Sequence, residues 1–295
     1  MQSSGAVSRR GVLAVDIGGT KIRVAVVGDD GTVEWSEQRP TPATTEPSHD
    51  QAEAVWSVVS ALVDTGLGRG PVEAVGVGCG GPTEGGNETV SPLNIRAWRR
   101  FPLRARLSQL TGLAVKVDND AKALALAEGR WGGASGVANY MSMVVSTGVG
   151  GGLVVDGRLL DGRTANAGHV GHVVVLPGGR RCACGGAGCL EAEASGTAIA
   201  AITGRPAAQA PPEVVERTGR LVGRAVGSVA NLVDFDLTTV SGSVALGFGE
   251  PFFVAAQKEL SATARLAFSA GCRIEPSRLG PDGPILGAAA VGMSA

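Results

Sequence analysis

The chain has 295 residues, 44% hydrophobic and 18% charged, with 26 Lys and Arg against 27 Asp and Glu. This apolar share is enough for a folded core and excludes a disordered chain, and the balanced charge excludes binding of nucleic acid or membranes by overall electrostatics alone. The 46 glycines lack a three-residue period, which excludes collagen, and their clustering in short loops predicts close approach of the backbone to a ligand.

The first half of the chain is predicted to begin with a hairpin of buried strands and to continue with alternating helices and strands. In chain order we predict strands at 11–17, 22–27 and 32–38, a helix at 52–63 ended by Gly66, strands at 72–77 and 115–117, and a helix at 121–131. The polar residues 1–10 are predicted to be loose.

The second half repeats this order in part. We predict a strand at 141–145, a glycine turn at 146–152, a strand at 153–155, a loop region at 161–188, a helix at 214–233, a strand at 238–240 and a helix at 285–293. Two rounds of strand, glycine turn and strand, each followed by helices, predict two related α/β lobes with a cleft between them.

The five cysteines favour a metal site in a reducing compartment over a disulfide framework, because their number is odd and three lie close together. They are Cys79, Cys182, Cys184, Cys189 and Cys272. The N-terminal region lacks the apolar core of a signal peptide, and no stretch of 18 apolar residues is present. We therefore expect a cytoplasmic protein that does not contact membranes.

Two glycine turns have the composition of phosphate-binding loops. Residues 16–21 read Asp-Ile-Gly-Gly-Thr-Lys, whose N–H groups and hydroxyl can face phosphate oxygens while Asp16 holds water on Mg²⁺. The alternative for this segment is an ordinary Gly-Gly hairpin. Residues 146–152 offer the same chemistry at the matching place in the second half. Neither turn has the P-loop pattern, and the pair favours a grip on a triphosphate.

Residues 118–120 read Asp-Asn-Asp at a strand-to-helix junction. Asp120 is a candidate general base that takes a proton from a hydroxyl, and Asn119 is a candidate to orient a sugar hydroxyl. The alternative role for Asp120 is that of a helix N-cap, and the two roles are compatible.

A third pattern supplies one imidazole and three thiolates, from His172, Cys182, Cys184 and Cys189. This donor set predicts a closed, structural zinc site, in preference to three unliganded cysteines or an iron–sulfur cluster. Glu191 follows directly and is either held rigidly by the zinc loop or a solvated residue at a helix start.

Asn94 is either a turn residue or a ligand contact. We expect Trp98 and Phe101, in the same region, to be packing residues.

Together these segments resemble the ROK family (repressors, open reading frames, sugar kinases) of the actin/hexokinase-like ATPase superfamily, over nearly the whole chain. The segments that carry the resemblance are 16–21, 76–82, 91–94 with Trp98 and 101–103, 119–121, 146–152, 168–172 and 182–191. The resemblance implies two actin-like, ribonuclease H-like lobes with mixed sheets flanked by helices and a nucleotide and sugar cleft between them. The expected lobes are 1–120, joined by a C-terminal helix at 283–295, and 121–282, which holds the zinc loop and the nucleotide site.

The resemblance also implies a function and a set of site residues. Family kinases use ATP and Mg²⁺ to phosphorylate hexoses, mostly at the 6-hydroxyl, and usually form homodimers or tetramers; we expect a homodimer here. Asp120 would be the catalytic base, and the sugar contacts would be Asn94, Asn119, Asp120, His169, His172 and Glu191, with His172 also a zinc ligand. Phosphates and adenosine would be bound by Asp16, Gly18, Gly19, Thr20, Lys21, Thr147, Gly148, Gly150, Gly242 and Ser243.

The sequence departs from the family pattern in two places. His169 stands where the family commonly has a Glu that binds sugar hydroxyls, and an imidazole accepts one hydrogen bond and donates one where a carboxylate accepts two. The usual triple-glycine adenosine turn reads Ser-Gly-Ser at 241–243. The first change alters the expected sugar preference; the second is tolerable if φ of the serines stays negative.

The predicted substrate is therefore glucose or a glucose-like amino sugar, with kanosamine (3-amino-3-deoxyglucose) as an alternative. A sugar-sensing regulator is the rival function. ROK repressors carry a winged-helix segment before the first phosphate turn, whereas here the turn begins at residue 16, so a DNA-reading helix is not expected.

Overall fold

The structure is a computed structural model that describes residues 11–294. Residues 1–10, which are predicted to be loose, lie outside the described residues. So does residue 295, the last residue of the expected helix 283–295. The chain forms two compact units. The first comprises the described parts of Met1–Ala123 and Pro281–Ala295, and the second is Leu124–Gly280. The expected assignment of separate roles to lobes 1–120 and 121–282 stays a prediction.

The first part of the chain alternates strands and helices. In order these are β1 (Gly11–Ile17), β2 (Lys21–Val27), β3 (Val33–Pro40), α1 (His49–Leu67), β4 (Val72–Cys79), β5 (Thr83–Glu84), β6 (Thr89–Val90), α2 (Leu103–Thr111), β7 (Ala114–Asn119) and α3 (Asp120–Trp131). Helix α3 begins in the first unit and continues into the second.

The rest of the chain builds the second unit and ends with a helix of the first. In order these elements are β8 (Tyr140–Val145), β9 (Val149–Val155), β10 (Arg158–Leu159), α4 (Leu190–Ala194), α5 (Gly196–Thr203), α6 (Pro212–Val233), β11 (Leu237–Ser241), α7 (Ser243–Phe248), α8 (Glu250–Thr263), β12 (Arg273–Pro276) and α9 (Gly283–Met293). Within residues 11–294, none of the helices combines the length and the apolar character needed to cross a membrane.

Each unit contains one five-stranded mixed sheet with the same connectivity. The first has the order β3-β2-β1-β4-β7 and the second the order β10-β9-β8-β11-β12. In both, the first three strands in chain order are antiparallel neighbours and the next two are added in parallel. The predicted fold class, with two related α/β lobes of mixed sheets flanked by helices, is confirmed.

Helix α1 covers the first sheet with the predicted face. Ala52, Val55, Val59 and Leu62 are all buried, as their spacing at helical period predicts. The prediction that Gly66 ends the helix is wrong, because α1 continues to Leu67. A Cβ at position 66 would lie 2.6 Å from Leu13 Cδ1, so glycine is needed there for α1 to pack against β1.

The second glycine segment is shorter as a turn than predicted. Only Ser146–Gly148 lie outside the strands, and Gly150 belongs to β9, which begins four residues before the predicted strand 153–155. Glycines in this strand have a packing role, since a Cβ on Gly151 would lie 2.6 Å from Val170 Cγ1. The loop that carries Val170 can therefore lie directly on β9.

Candidate active site

The carboxyl ends of the parallel strands β1, β4 and β7 meet at one edge of the first sheet. Asp16, Gly78 and Asp118 stand in register there, and Asp120 follows at the start of α3. Asp16 is only 9% exposed. Burial, together with the negative charge of Asp120, raises the pKa of Asp16 to about 7, although Lys21 and Arg23 oppose the shift. This edge thus holds three carboxylates. Asp118 pairs with Lys122 at 3.1 Å, whereas Asp16 and Asp120 repel each other and favour a bound cation.

The side chain of Asn119 caps α3. Its Oδ1 accepts hydrogen bonds from the N–H groups of Ala121 at 3.0 Å and Lys122 at 3.4 Å. Asp120 is the first residue of the helix, is exposed, and accepts a 2.8 Å bond from Ala121 N on its own Oδ1. The capping role considered for Asp120 therefore falls mainly to its neighbour, and the Asp120 carboxylate has a fixed orientation at an accessible position.

The first glycine turn packs against Asn94. Gly18 N donates to Lys21 O at 3.0 Å, and neither Gly18 nor Gly19 has a positive φ, which tight two-residue hairpins require. Glycine at position 19 is instead required by contact, because a Cβ there would collide with Asn94 Cβ. The turn joins the antiparallel strands β1 and β2 as a hairpin, as the alternative expects, and Asn94 packs against it. The turn and the candidate sugar residue Asn94 are therefore in direct contact.

The segment that presents Asn94 is held by residues that motif analysis missed or interpreted only as packing. Trp98 and Phe101 are buried and stack with ring centroids 4.2 Å apart, as expected of packing residues. One guanidinium nitrogen of Arg99 donates to the carbonyl groups of Pro92, Ile95 and Trp98, at 3.1, 3.2 and 2.7 Å. No motif pointed to Arg99, since its partners are backbone oxygens.

In the second unit, Glu191 contacts the second glycine turn. Its Oε2 accepts a 3.0 Å hydrogen bond from Val149 N, and a Cβ on Gly148 would lie 2.9 Å from the same oxygen. The alternative of a solvated carboxylate at a helix start is therefore disfavoured. Glycine at position 148 has the role that Gly19 has in the first unit, which is to let a polar side chain reach the turn.

The expected adenosine turn lies beside the same glycine turn. Ser243 Oγ is 3.0 Å from Ser146 Oγ. Gly242 has φ of +100°, and a Cβ there would collide with Val145 O, so this position requires glycine. Neither Ser241 nor Ser243 has a positive φ. The serines are thus accommodated where the family commonly has glycines.

The predicted metal ligands come together. The ligand atoms of His172, Cys182, Cys184 and Cys189 all lie within 4.8 Å of one another. Cys182 Sγ is 3.7 Å from His172 Nδ1, and Cys184 Sγ is 3.7 Å from Cys189 Sγ. These separations are too long for a disulfide and match the ~3.8 Å between ligands of a tetrahedral site with ~2.3 Å bonds. Three thiolates and one imidazole at these separations fit a tetrahedral zinc ion.

The buried carboxylate of Glu193 connects this cluster to the rest of the second unit. Glu193, which is 1% exposed, accepts a 2.7 Å bond from Arg180 N in the metal loop and pairs with Arg217 of α6. Glu193 carries no signal in the sequence, because it resembles any acidic residue at a helix start. His169 lies beside the cluster, its ring centroid 6.0 Å from that of His172.

The structure therefore groups the predicted site residues within each unit. In the first unit the grouped residues are Asp16, Gly18, Gly19, Asn94, Asn119 and Asp120. In the second they are Thr147, Gly148, Glu191, Gly242 and Ser243, with the metal cluster joined through Glu191. Thr20 and Lys21 are exposed on the first turn, and Gly150 lies within β9 rather than in the second turn.

Comparison with known proteins gives consistent similarities along the chain. The sequence matches the ROK family over residues 12–294. The N-acetylmannosamine kinase of Citrobacter koseri is 36% identical over 252 residues, covering 80% of this chain and 84% of that protein. A ROK family glucokinase from Streptomyces griseus, solved in complex with glucose and AMPPNP, is 28% identical with a TM-score of 0.81, covering 97% of this chain and 100% of that chain. A ROK hexokinase from Thermus thermophilus is 32% identical with a TM-score of 0.78, covering 96% and 98%.

Proposed function

The chain belongs to the ROK family, and on this premise we propose that it is an ATP-dependent sugar kinase acting on the 6-hydroxyl of glucose or a glucose-like amino sugar. The observation that carries the proposal is the Asp120 carboxylate. It is exposed, oriented by Ala121 N, and placed at the strand edge that also holds Asp16 and the glycine turn with Asn94. This grouping supplies a base, an oxygen ligand for a cation and backbone donors for phosphate.

Asp120 is proposed as the general base. A sugar hydroxyl is a weak nucleophile, and a carboxylate that accepts its proton as the phosphoryl group arrives contributes typically ~10²–10⁴-fold to the rate. Phosphoryl transfer otherwise depends on positioning and on stabilising charge, since the protein forms no covalent bond with the substrate. Asn94 and Asn119 are proposed to orient the sugar in the first unit. The sugar contacts proposed for His169, His172 and Glu191 rest on the family resemblance.

Asp16 fits a role toward Mg²⁺. Carboxylate oxygens are ligands that hard divalent cations prefer, and Asp16 is the buried carboxylate next to the phosphate turn. Mg²⁺, when bound with ATP, neutralises the charge of the phosphates. Because the pKa of Asp16 is about 7, the carboxyl is partly protonated at neutral pH, and a bound cation favours its ionised form.

The His172 and cysteine cluster is proposed to hold a structural zinc ion. His172 faces the cluster with Nδ1, which leaves Nε2 on the other side of the ring for the proposed sugar contact. The ion would fix the loop that leads into Glu191. We also propose that the protein forms a homodimer.

His169 and the substrates named for the relatives reduce the range of sugars that we propose as substrates. The kinase from Citrobacter koseri acts on an N-acetylated amino sugar and that from Streptomyces griseus on glucose, as their names state. An imidazole at position 169 presents one acceptor and one donor to the sugar, which suits a ring that carries a nitrogen substituent as well as hydroxyls. We therefore propose an amino sugar of glucose-like shape as the preferred substrate.

The test is an ADP-release assay with glucose, mannose, glucosamine, N-acetylglucosamine, N-acetylmannosamine and kanosamine, each with ATP and Mg²⁺. The product of the best substrate is examined by NMR for phosphorus coupling at C6. We expect turnover with at least one sugar and a 6-phosphate product. The absence of sugar-dependent ADP release across the panel, or phosphate at another carbon, would contradict the proposal.

The same panel tests His169. A His169→Glu variant is expected to shift the preference several-fold toward glucose, because the carboxylate again accepts two hydroxyl hydrogens. An unchanged ranking of substrates would remove His169 from the explanation of specificity.

A further inference from the structure

Both glycine turns expose backbone N–H groups. Within the described part of the chain, the N–H groups of Gly19, Thr20, Thr147 and Gly148 donate to no partner. Such groups bind an anion only if each peptide is turned so that its N–H faces the anion. In a trans peptide the C=O points opposite to the N–H, so whatever holds the oxygen also sets the direction of the hydrogen.

Thr41 holds the oxygens of the first turn. Its hydroxyl donates to Gly18 O at 2.7 Å, and its own N–H donates to Thr20 O at 3.0 Å. Gly18 O belongs to the same peptide as the N–H of Gly19. The Thr41 hydroxyl therefore directs the Gly19 N–H away from the β3–α1 loop that carries Thr41.

Thr197 does the same in the second turn, from the first turn of α5. Its hydroxyl and its N–H both donate to Thr147 O, at 2.9 and 3.3 Å, and Gly196 N donates to Ser146 O at 2.7 Å. These oxygens belong to the peptides that carry the N–H groups of Gly148 and Thr147. Both peptides of the second turn are thus oriented by the start of α5.

These contacts matter because glycine resists rotation of its peptides less than other residues do. Rotation of the Gly18–Gly19 or the Thr147–Gly148 peptide would turn a carbonyl oxygen toward the ligand, and that oxygen repels a phosphate. A hydroxyl that donates to the carbonyl opposes this rotation in the empty protein, so the donors are oriented before the ligand arrives.

We propose that Thr41 and Thr197 are positioning residues for nucleotide binding, which orient the N–H donors of the two glycine turns toward the phosphate groups of the nucleotide. The inference rests on the proposed function, since it assigns the turns to a nucleotide. Neither threonine touches the ligand in this role. Each acts through the peptide whose carbonyl group it binds.

The experiment compares valine and serine at each position. Valine keeps the shape of threonine and removes the hydroxyl, whereas serine keeps the hydroxyl. We expect Thr41→Val and Thr197→Val to raise the KM for ATP about tenfold, the effect of one hydrogen bond that orients a ligand donor. We expect the KM for the sugar to stay within twofold, and Thr41→Ser and Thr197→Ser to behave as the unchanged protein does.

Matched controls exist in both units. Thr65 in α1 and Thr203 in α5 also donate their hydroxyl groups to a backbone oxygen, each at 2.8 Å, away from the turns. Thr65→Val and Thr203→Val lose the same kind of hydrogen bond and should leave the KM for ATP unchanged. If either valine variant of the turns fails to fold, Thr41→Ala or Thr197→Ala is used instead, with the serine variant as its reference.

Direct binding of AMPPNP by calorimetry separates this inference from the proposed function. If no sugar is phosphorylated but AMPPNP binds, the kinase proposal fails, and about tenfold weaker binding to the valine variants still supports the inference. Unchanged binding in Thr41→Val and Thr197→Val, or an equal loss in the serine variants, overturns the inference. Failure of the unchanged protein to bind the nucleotide at all overturns both.

Discussion

The two units repeat a scaffold but not its chemistry. Both place a glycine turn between the first two antiparallel strands of a sheet with the same strand order. In both, a glycine admits a polar side chain to that turn, Asn94 in the first unit and Glu191 in the second. The first unit then adds a pair of carboxylates, whereas the second adds sulfur and imidazole ligands. A duplicated fold therefore locates a site, and the side chains set at its sheet edges decide what each copy contributes.

Removal of the carboxylate at position 120 tests the assignment of the base to the first unit and has the largest expected effect. Asp120→Asn should lower kcat by about 10²–10⁴-fold, because the amide cannot accept the hydroxyl proton. The thermal unfolding midpoint should change little, since the amide oxygen can still accept the bond from Ala121 N. Asp64→Asn, on the exposed side of α1, is the control. Turnover near the original rate would move the base elsewhere.

Loss of one ligand tests whether the histidine and cysteine cluster of the second unit holds zinc. Cys184→Ser should release the bound zinc, measured by mass spectrometry of the metal content, and lower the unfolding temperature, because metal binding contributes to folding of the loop. Sugar affinity should fall with it, since Glu191 is two residues from Cys189. Cys272→Ala, outside the cluster, should retain the metal. Purified protein that contains no metal would contradict the zinc assignment.

Burial of Asp16, together with the charge of Asp120, should lower the stability of the protein at high pH. The pKa of Asp16 is raised from 3.8 to about 7, so the folded protein binds more protons than the unfolded chain between these values. Stability therefore falls as pH rises through that window. Asp16→Asn removes the burial of a charge and should stabilise the protein by about 2–4 kcal/mol at pH 8 and by little at pH 4. Urea unfolding at both pH values measures this.

Asp16→Asn should lower the kinase activity although it raises the stability at pH 8, because a ligand of the cation is lost. An asparagine variant no more stable at pH 8 than at pH 4, relative to the unchanged protein, would show that Asp16 is not held as a buried acid. The exposed Asp64→Asn variant again provides the reference, since its charge lies in solvent.

The smallest expected effect is the difference between alanine substitutions in the two glycine turns. A Cβ at Gly19 would meet the Cβ of Asn94, which cannot move without the backbone, whereas a Cβ at Gly148 would meet the end of the flexible Glu191 side chain. Gly19→Ala should therefore raise the KM for the sugar more than Gly148→Ala does, by about tenfold against a few-fold. Gly70→Ala and Gly247→Ala, where a Cβ meets nothing within 4 Å, are the controls. Equal effects of the two variants would show that the turns do not differ in rigidity.

The sequence predicted the features that depend on local pattern. The apolar run of β1, the buried face of α1, the strand-to-helix junction at Asp120 and the four metal ligands were all recognisable, because each is expressed in neighbouring residues. Helix α8 was not predicted, and it begins directly after a glycine with positive φ and carries a proline in its first turn.

The sequence does not predict features that depend on contacts between residues far apart in the chain. Gly66 is predicted to end a helix and Gly150 to lie in a turn, although α1 runs past the first and β9 includes the second. Thr41 is 23 residues from the carbonyl group that it binds, and Thr197 is 50 residues from its own. A single sequence does not show which residues meet across such separations, so the supports of both turns became visible only in three dimensions.

Helix α9 has a consequence for the order of events during synthesis. It packs so closely on β4 that a Cβ at Gly76 would collide with the Ala288 carbonyl oxygen, and it forms part of the first unit although it follows Leu124–Gly280 in the chain. During synthesis that face of the first sheet therefore stays uncovered until residues 283–293 have been made, whereas the second unit, Leu124–Gly280, is continuous and is complete before them. The first sheet is thus made before the second unit but covered only after it, and an apolar face exposed in that interval favours aggregation.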